Sequence, residues 1–103
     1  DPAADLAVAA AIASSLLERP IEENLLLIGE IGLLGEVRSI GQLDRRKKEG
    51  ISFGFEITIG PNANAGKENN KKDKNPSQNP DKLIAVADLP EALNILGLSN
   101  NNF

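Results

Sequence analysis

Three groups of residues in this 103-residue chain carry atoms that could do chemistry. Ser14 and Ser15 supply hydroxyls; the pairs Gly29-Glu30 and Gly35-Glu36 place two carboxylates beside permissive backbone; Arg45-Arg46-Lys47-Lys48, with Arg38 upstream, supplies cations. A hydroxyl becomes a nucleophile only beside a group that removes its proton. A glycine-rich stretch such as GEIGLLGEVRSIGQLDRR, residues 29 to 46, is an active site, a ligand loop or only a tight turn feeding a helix. Clustered cations suit phosphates, which position a protein without being read as sequence. The chain has no His and no Cys, so the commonest base near neutral pH and every thiolate ligand or disulfide are absent. Several enzyme classes fall at once, and the lack of thiols fits a reducing compartment.

The length allows one domain with a modest core. Hydrophobic residues make up 41% of the chain, yet Trp, Tyr and Met are missing and only three Phe occur, so the interior must be packed from Ala, Leu, Ile and Val. A net charge of -4 argues against nucleic-acid binding over the whole surface but leaves local basic patches open. The longest apolar stretch, Leu6 to Ala13, is too short to cross a bilayer, and no charged leader precedes a cleavable apolar segment. The chain therefore reads as soluble, with no membrane partner. Because it begins at Asp1 without an initiator Met, it reads as part of a longer protein.

Asp1-Pro2 is a helix start, an Asp cap followed by Pro at the first helical position. Leu6, Ala10, Ala13 and Leu17 then recur at helical spacing, which predicts a buried helix from about Pro2 to Glu18 that ends before Pro20. Asn24 to Ile28 reads as a buried strand, Gly29 to Gly35 as a turn or bulged hairpin, and Glu36 to Ile40 as a half-exposed strand. A second helix is expected from Gly41 or Gln42 to Ser52. Its pattern is poor: Lys47 sits where an apolar partner for Leu43 and Ile51 belongs, and Gly50 costs about 1 kcal/mol relative to Ala. Phe55 to Ile59 reads as a strand, Gly60 to Lys82 as a flexible Asn/Lys-rich surface insertion without apolar residues to bury, and Leu83 to Ala87 as a strand. Asp88-Leu89-Pro90-Glu91 opens a final helix to Leu96, and the terminal SNNNF is expected to fray. The order predicts an α/β or α+β domain, an open sheet packed by helices.

Two stretches, DPAADLAVAAAIASSLLERPI and GEIGLLGEVRSIGQLDRR, together resemble the Lon-type protease domain, most closely the version at the C-terminus of the bacterial RadA/Sms DNA repair ATPase family. The likeness continues through Gly54-Phe55 and the closing IAVADLPEALNIL. It implies an α+β Lon-protease-like fold of the ribosomal protein S5 domain 2-like type, with N-terminal strands missing. An active Lon-type protease uses a serine and a lysine, and a gap-free alignment puts Ala3 at the serine and Arg46 at the lysine. Alanine has no nucleophile and arginine stays protonated, so the resemblance implies a degenerate site with no catalytic residue of its own. Ser14 and Ser15 lie about three turns along the same helix and cannot substitute without moving the site.

The resemblance further implies a non-proteolytic scaffold in recombinational repair and branch migration. Its partners would be branched or single-stranded DNA and further copies of itself in a hexameric ring, in the cytoplasm of a bacterium or in a plastid. ATP, Mg and Zn are implied for the longer protein and none for this chain. The candidates for DNA contact are Arg38, Arg45, Arg46, Lys47 and Lys48, against which stands a merely solvated helix end; Lys67, Lys71, Lys72 and Lys74 are weaker candidates. Alternative readings are a Lon-type serine peptidase with a displaced site and the Lon-like segment of a magnesium-chelatase-like ATPase.

Overall fold

The computed structural model describes residues 1–62 and 82–99. A 3-10 turn, Pro2–Ala4, runs into helix α1, Asp5–Leu17. Asp1 caps this start, its Oδ1 accepting from the Ala3 N–H at 3.0 Å. The helix stops where Glu18 turns left-handed (φ 55°) and donates its N–H to the carbonyls of Ser14 and Ser15, two residues before Pro20. Strand β1, Leu25–Leu27, follows, and then β2, Glu30–Ile31, and β3, Val37–Arg38, which pair antiparallel. Helix α2 is Leu43–Ser52, strand β4 is Ile57–Gly60, strand β5 is Lys82–Ala85 and helix α3 is Leu89–Ile95.

Strands β1, β4 and β5 form a three-stranded parallel sheet in the order β1-β4-β5, with Leu25 beside Ile57 and Ile57 beside Lys82. The hairpin β2–β3 is a separate two-stranded sheet. The fold is α+β, as expected, but its sheet is divided, and Glu30–Ile31, within the segment read as a turn or bulged hairpin, is a strand of a hairpin. The physical reason is the turn between the strands. Gly35 takes a positive φ of 86°, and the Glu36 carboxylate folds back to accept the Leu34 N–H at 3.1 Å, which closes the hairpin early enough for Ile31 to face Val37.

Side chains alternate across a strand, so the two faces of the parallel sheet bury different sets. Leu25, Leu27 and Ile59 pack with Leu6 of α1 and Ala92 of α3; Leu26 and Ile28 pack with Ala3 and with Leu43 of α2. The core is aliphatic, with Leu6, Ile59 and Ala92 fully buried. Helix α1 is buried on one face only. Val8, Ile12 and Leu16 are exposed, because the sheet lies along one side of it and α3 touches it on that side.

Two segment boundaries move. Gly60 belongs to β4, Pro61 is fully buried and Lys82 belongs to β5, so these residues of the expected insertion are part of the fold. The rest of it, residues 63–81 with Lys67, Lys71, Lys72 and Lys74, lies outside the described residues, as do residues 100–103. Ser99, expected to fray, instead has a carbonyl within 3.5 Å of the Arg19 guanidinium. The final helix keeps its cap: Asp88 Oδ1 accepts from the Glu91 N–H at 2.9 Å, and Glu91 Oε1 accepts from the Ala87 N–H at 2.8 Å.

Candidate functional site

Ala3 and Arg46, far apart in sequence, border one cleft of about 300 Å³ between the start of α1 and helix α2. The backbone brings them there. The Gly29 N–H donates to the Ala3 carbonyl at 2.9 Å, and the Leu6 N–H donates to the Gly29 carbonyl at 3.0 Å, so the first turn of the helix is stitched to the end of β1. On the other side α2 comes down on β1 through Gly50, where an added Cβ would overlap Leu26 Cδ2. The glycine that weakens the helix by propensity is what lets the helix reach the sheet.

Within this frame Ala3 presents only a methyl group, 7% exposed. Arg46 Nη1 lies 3.5 Å from Asp1 Oδ2, and Arg46 Nε donates to the Gly41 carbonyl at 3.3 Å. The guanidinium thus closes one end of the cleft against the residue that caps the 3-10 turn leading into α1. Asp5 is engaged elsewhere, its Oδ2 accepting from the Ile31 N–H at 3.2 Å. Neither a nucleophile nor a neutral amine faces the cleft at these two positions. Ser14, on the last turns of α1, donates its hydroxyl to the Arg19 carbonyl. It finishes the helix and does not border the cleft.

Of the two Gly-Glu pairs, Gly35-Glu36 supports its own hairpin, and Gly29 ties the end of β1 to the first turn of α1. Glu36 fills the space over Gly32, where a Cβ would collide with its carboxylate, and holds Arg38 at 3.4 Å. Gly32 is therefore needed for room, whereas Gly35 is needed for its backbone angle.

The five cations named from the sequence are not equivalent. Arg45 lies 3.7 Å from Glu49 and within 3.2 Å of Gln42 Oε1; Arg46 meets Asp1; Arg38 meets Glu36. Lys47 meets Asp44 at 3.5 Å with its side chain only 11% exposed, so it is less open to a phosphate than the other candidates. A long aliphatic stem can lie along apolar surface while the charged end reaches outward, which is how Lys47 occupies the position where an apolar residue was expected. Lys48 is exposed and makes no ion pair among the described residues.

Two features were not foreseen: Asp1 as the partner of Arg46, and Phe53, 82% exposed at the end of α2. The second left no signal in the spacing, because which of Phe53 and Phe55 is covered depends on the left-handed turn at Gly54 between them.

The Lon protease (S16) C-terminal proteolytic domain family matches residues 1–93. The chain belongs to this family. Its Lon-type domain is similar to the DNA repair protein RadA of Chlamydia pneumoniae, 51% identical over 59% of the chain. It is similar also to that of Pseudomonas aeruginosa, 47% over 66%, and that of Listeria monocytogenes, 38% over 90%. These matches take up 14%, 15% and 19% of the respective relatives, so the chain spans under a fifth of their length.

No group of three or more acidic residues able to hold a metal occurs among the described residues. With no His or Cys in the sequence, the zinc implied for a longer relative finds no ligand of its preferred type here. No helix among the described residues is long and apolar enough to cross a membrane.

Proposed function

We propose that this chain is a non-proteolytic Lon-type scaffold of a RadA/Sms-type DNA repair protein, supporting assembly of a ring and contact with DNA. The observation that carries the reading is the cleft: Ala3 and Arg46 stand together where the resemblance puts a serine and a lysine, but as a methyl group and a guanidinium tied to Asp1. Peptide hydrolysis through a hydroxyl needs an attacking oxygen and a base that can shed its proton; these two positions offer neither. The similarity to RadA proteins supports repair as the process. ATP hydrolysis with Mg and a zinc site would belong to other parts of a longer protein, and a cytoplasmic location goes with that reading.

The test is direct. Purified chain incubated with casein, an unfolded substrate, should release no acid-soluble peptide, and Ser14→Ala and Ser15→Ala should change nothing. Cleavage that one of these substitutions abolishes would establish a peptidase with a displaced site instead. In the longer protein, sedimentation should give a closed oligomer that persists when Ala3 is changed to Ser. An exclusively monomeric protein would remove the scaffold role.

A further inference from the structure

We propose that Phe53 is a base-stacking platform of a single-stranded nucleic-acid site on α2, whose phosphates are taken by Arg45 and Lys48. The proposal rests on the DNA contact proposed above and adds the residue that would make it selective for unpaired strands.

Phe53 is 82% exposed, although burying an aromatic ring is among the larger single gains available to a small core. Its neighbour Phe55 does turn inward against Gly50. The outward ring is held in place by its backbone. The Phe53 N–H donates to the carbonyls of Glu49 and Gly50 at 3.1 and 3.0 Å, Gly54 turns the chain at φ 103°, and the Phe55 N–H returns to the Gly50 carbonyl at 3.0 Å. The backbone that carries the ring is therefore already ordered, so a flat partner settling on it has only the side chain to immobilise.

The charge beside it suits a polyanion. Helix α2 carries four cations against two acids, Asp44 and Glu49. Lys48 is exposed without an ion-pair partner among the described residues. The Arg45 side chain is 70% exposed and faces Glu49 only at 3.7 Å, a pair in open water that is worth little and exchanges readily for phosphate. From Arg45 to Phe53 the helix rises about 12 Å, and from Lys48 about 7.5 Å, and at about 100° per residue Arg45 falls between Lys48 and Phe53 around the axis, so a strand crossing the helix meets Lys48, Arg45 and the ring in turn. Phe53 also borders the Ala3–Arg46 cleft, which leaves room beside the ring for the edge of a base. Unpaired bases offer free faces to an aromatic ring; in a duplex those faces are already stacked. Cations alone would bind both forms.

The chain contains no Trp and no Tyr, so Phe53→Trp installs a single reporter at the site. A short fluorescein-labelled oligothymidylate is titrated into the full chain, followed by anisotropy, beside a duplex of equal length. Phe53→Ala should weaken binding of the single strand on the order of tenfold or more and leave the duplex unchanged. The indole of Phe53→Trp should retain binding and be quenched as an unlabelled oligothymidylate is added. Arg45→Gln with Lys48→Gln should lower affinity for both forms and flatten the salt dependence. Equal single-strand affinity for Phe53→Ala and the unaltered chain, or binding without quenching of the indole, overturns the stacking platform while the DNA contact stands. Binding to neither form removes both.

Discussion

The two faces of the parallel sheet are covered by opposite means. On one, large aliphatic side chains meet large aliphatic side chains: Leu6 sits among Ile59, Val86 and Ala92 with Leu25 and Leu27 beside it. On the other, helix α2 approaches because side chains are missing, with Gly50 over Leu26 and Ala3 beside Ile28 and Leu43. The first face is held by volume and the second by fit, so removing volume should tell most on the first and adding it on the second.

Removal of volume should be most costly on the first face. Leu6→Ala is expected to lose about 2–5 kcal/mol of stability, the range for emptying a fully buried leucine site, measured by urea unfolding. A loss under 1 kcal/mol would mean that α1 settles onto the sheet and that the face is less tightly filled than its burial indicates.

Addition of volume is the sharper test of the second face. In an isolated helix Gly50→Ala would gain about 1 kcal/mol, but here the new methyl overlaps Leu26, and overpacking typically costs about 1–3 kcal/mol. Net destabilisation is expected, and the sign should reverse when Gly50→Ala is made in a Leu26→Ala background. Stabilisation by Gly50→Ala alone would break the contrast between the faces.

The smallest effect is expected at the cleft mouth. Arg46→Gln removes the ion pair with Asp1, whose side chains are 40% and 60% exposed, and surface pairs of this kind contribute about 0–1 kcal/mol. The thermal midpoint should hardly move. A large drop would make Arg46 a structural clamp joining the start of α1 to α2 rather than one half of an exposed surface pair.

The sequence made the first face legible, because Leu6 and Ala10 recur at helical spacing and Asp88 with Glu91 announces the start of α3. The second face was obscured by the same glycine that builds it: propensity charges Gly50 as a defect, and only the position of Leu26 shows why nothing larger fits. Lys47 was obscured likewise, since a side chain that is apolar along its stem and charged at its end satisfies a half-buried site that a hydrophobicity pattern scores as a mismatch. The Glu30–Ile31 strand was hidden because its pairing depends on how tightly the Gly35 turn closes. At the site, Ala3 and Arg46 could be named as a pair from the resemblance, but the tie to Asp1 could not, because it joins the first residue to the middle of a helix.

The parallel arrangement also bears on how the chain reaches its native state. Leu25 meets Ile57 and Ile57 meets Lys82, so no ladder of the main sheet can form between neighbours in sequence. Each requires a long closure before its hydrogen bonds repay it, which makes such sheets slow to assemble. The hairpin, with Glu30 opposite Arg38, closes over its own turn, and hairpins of this kind form in about 1–10 μs. During refolding it should therefore appear well before the sheet. Until β4 arrives, the three consecutive leucines of β1 stand as an uncovered strand that another chain can pair with, so recovery after denaturation should fall as the protein concentration rises.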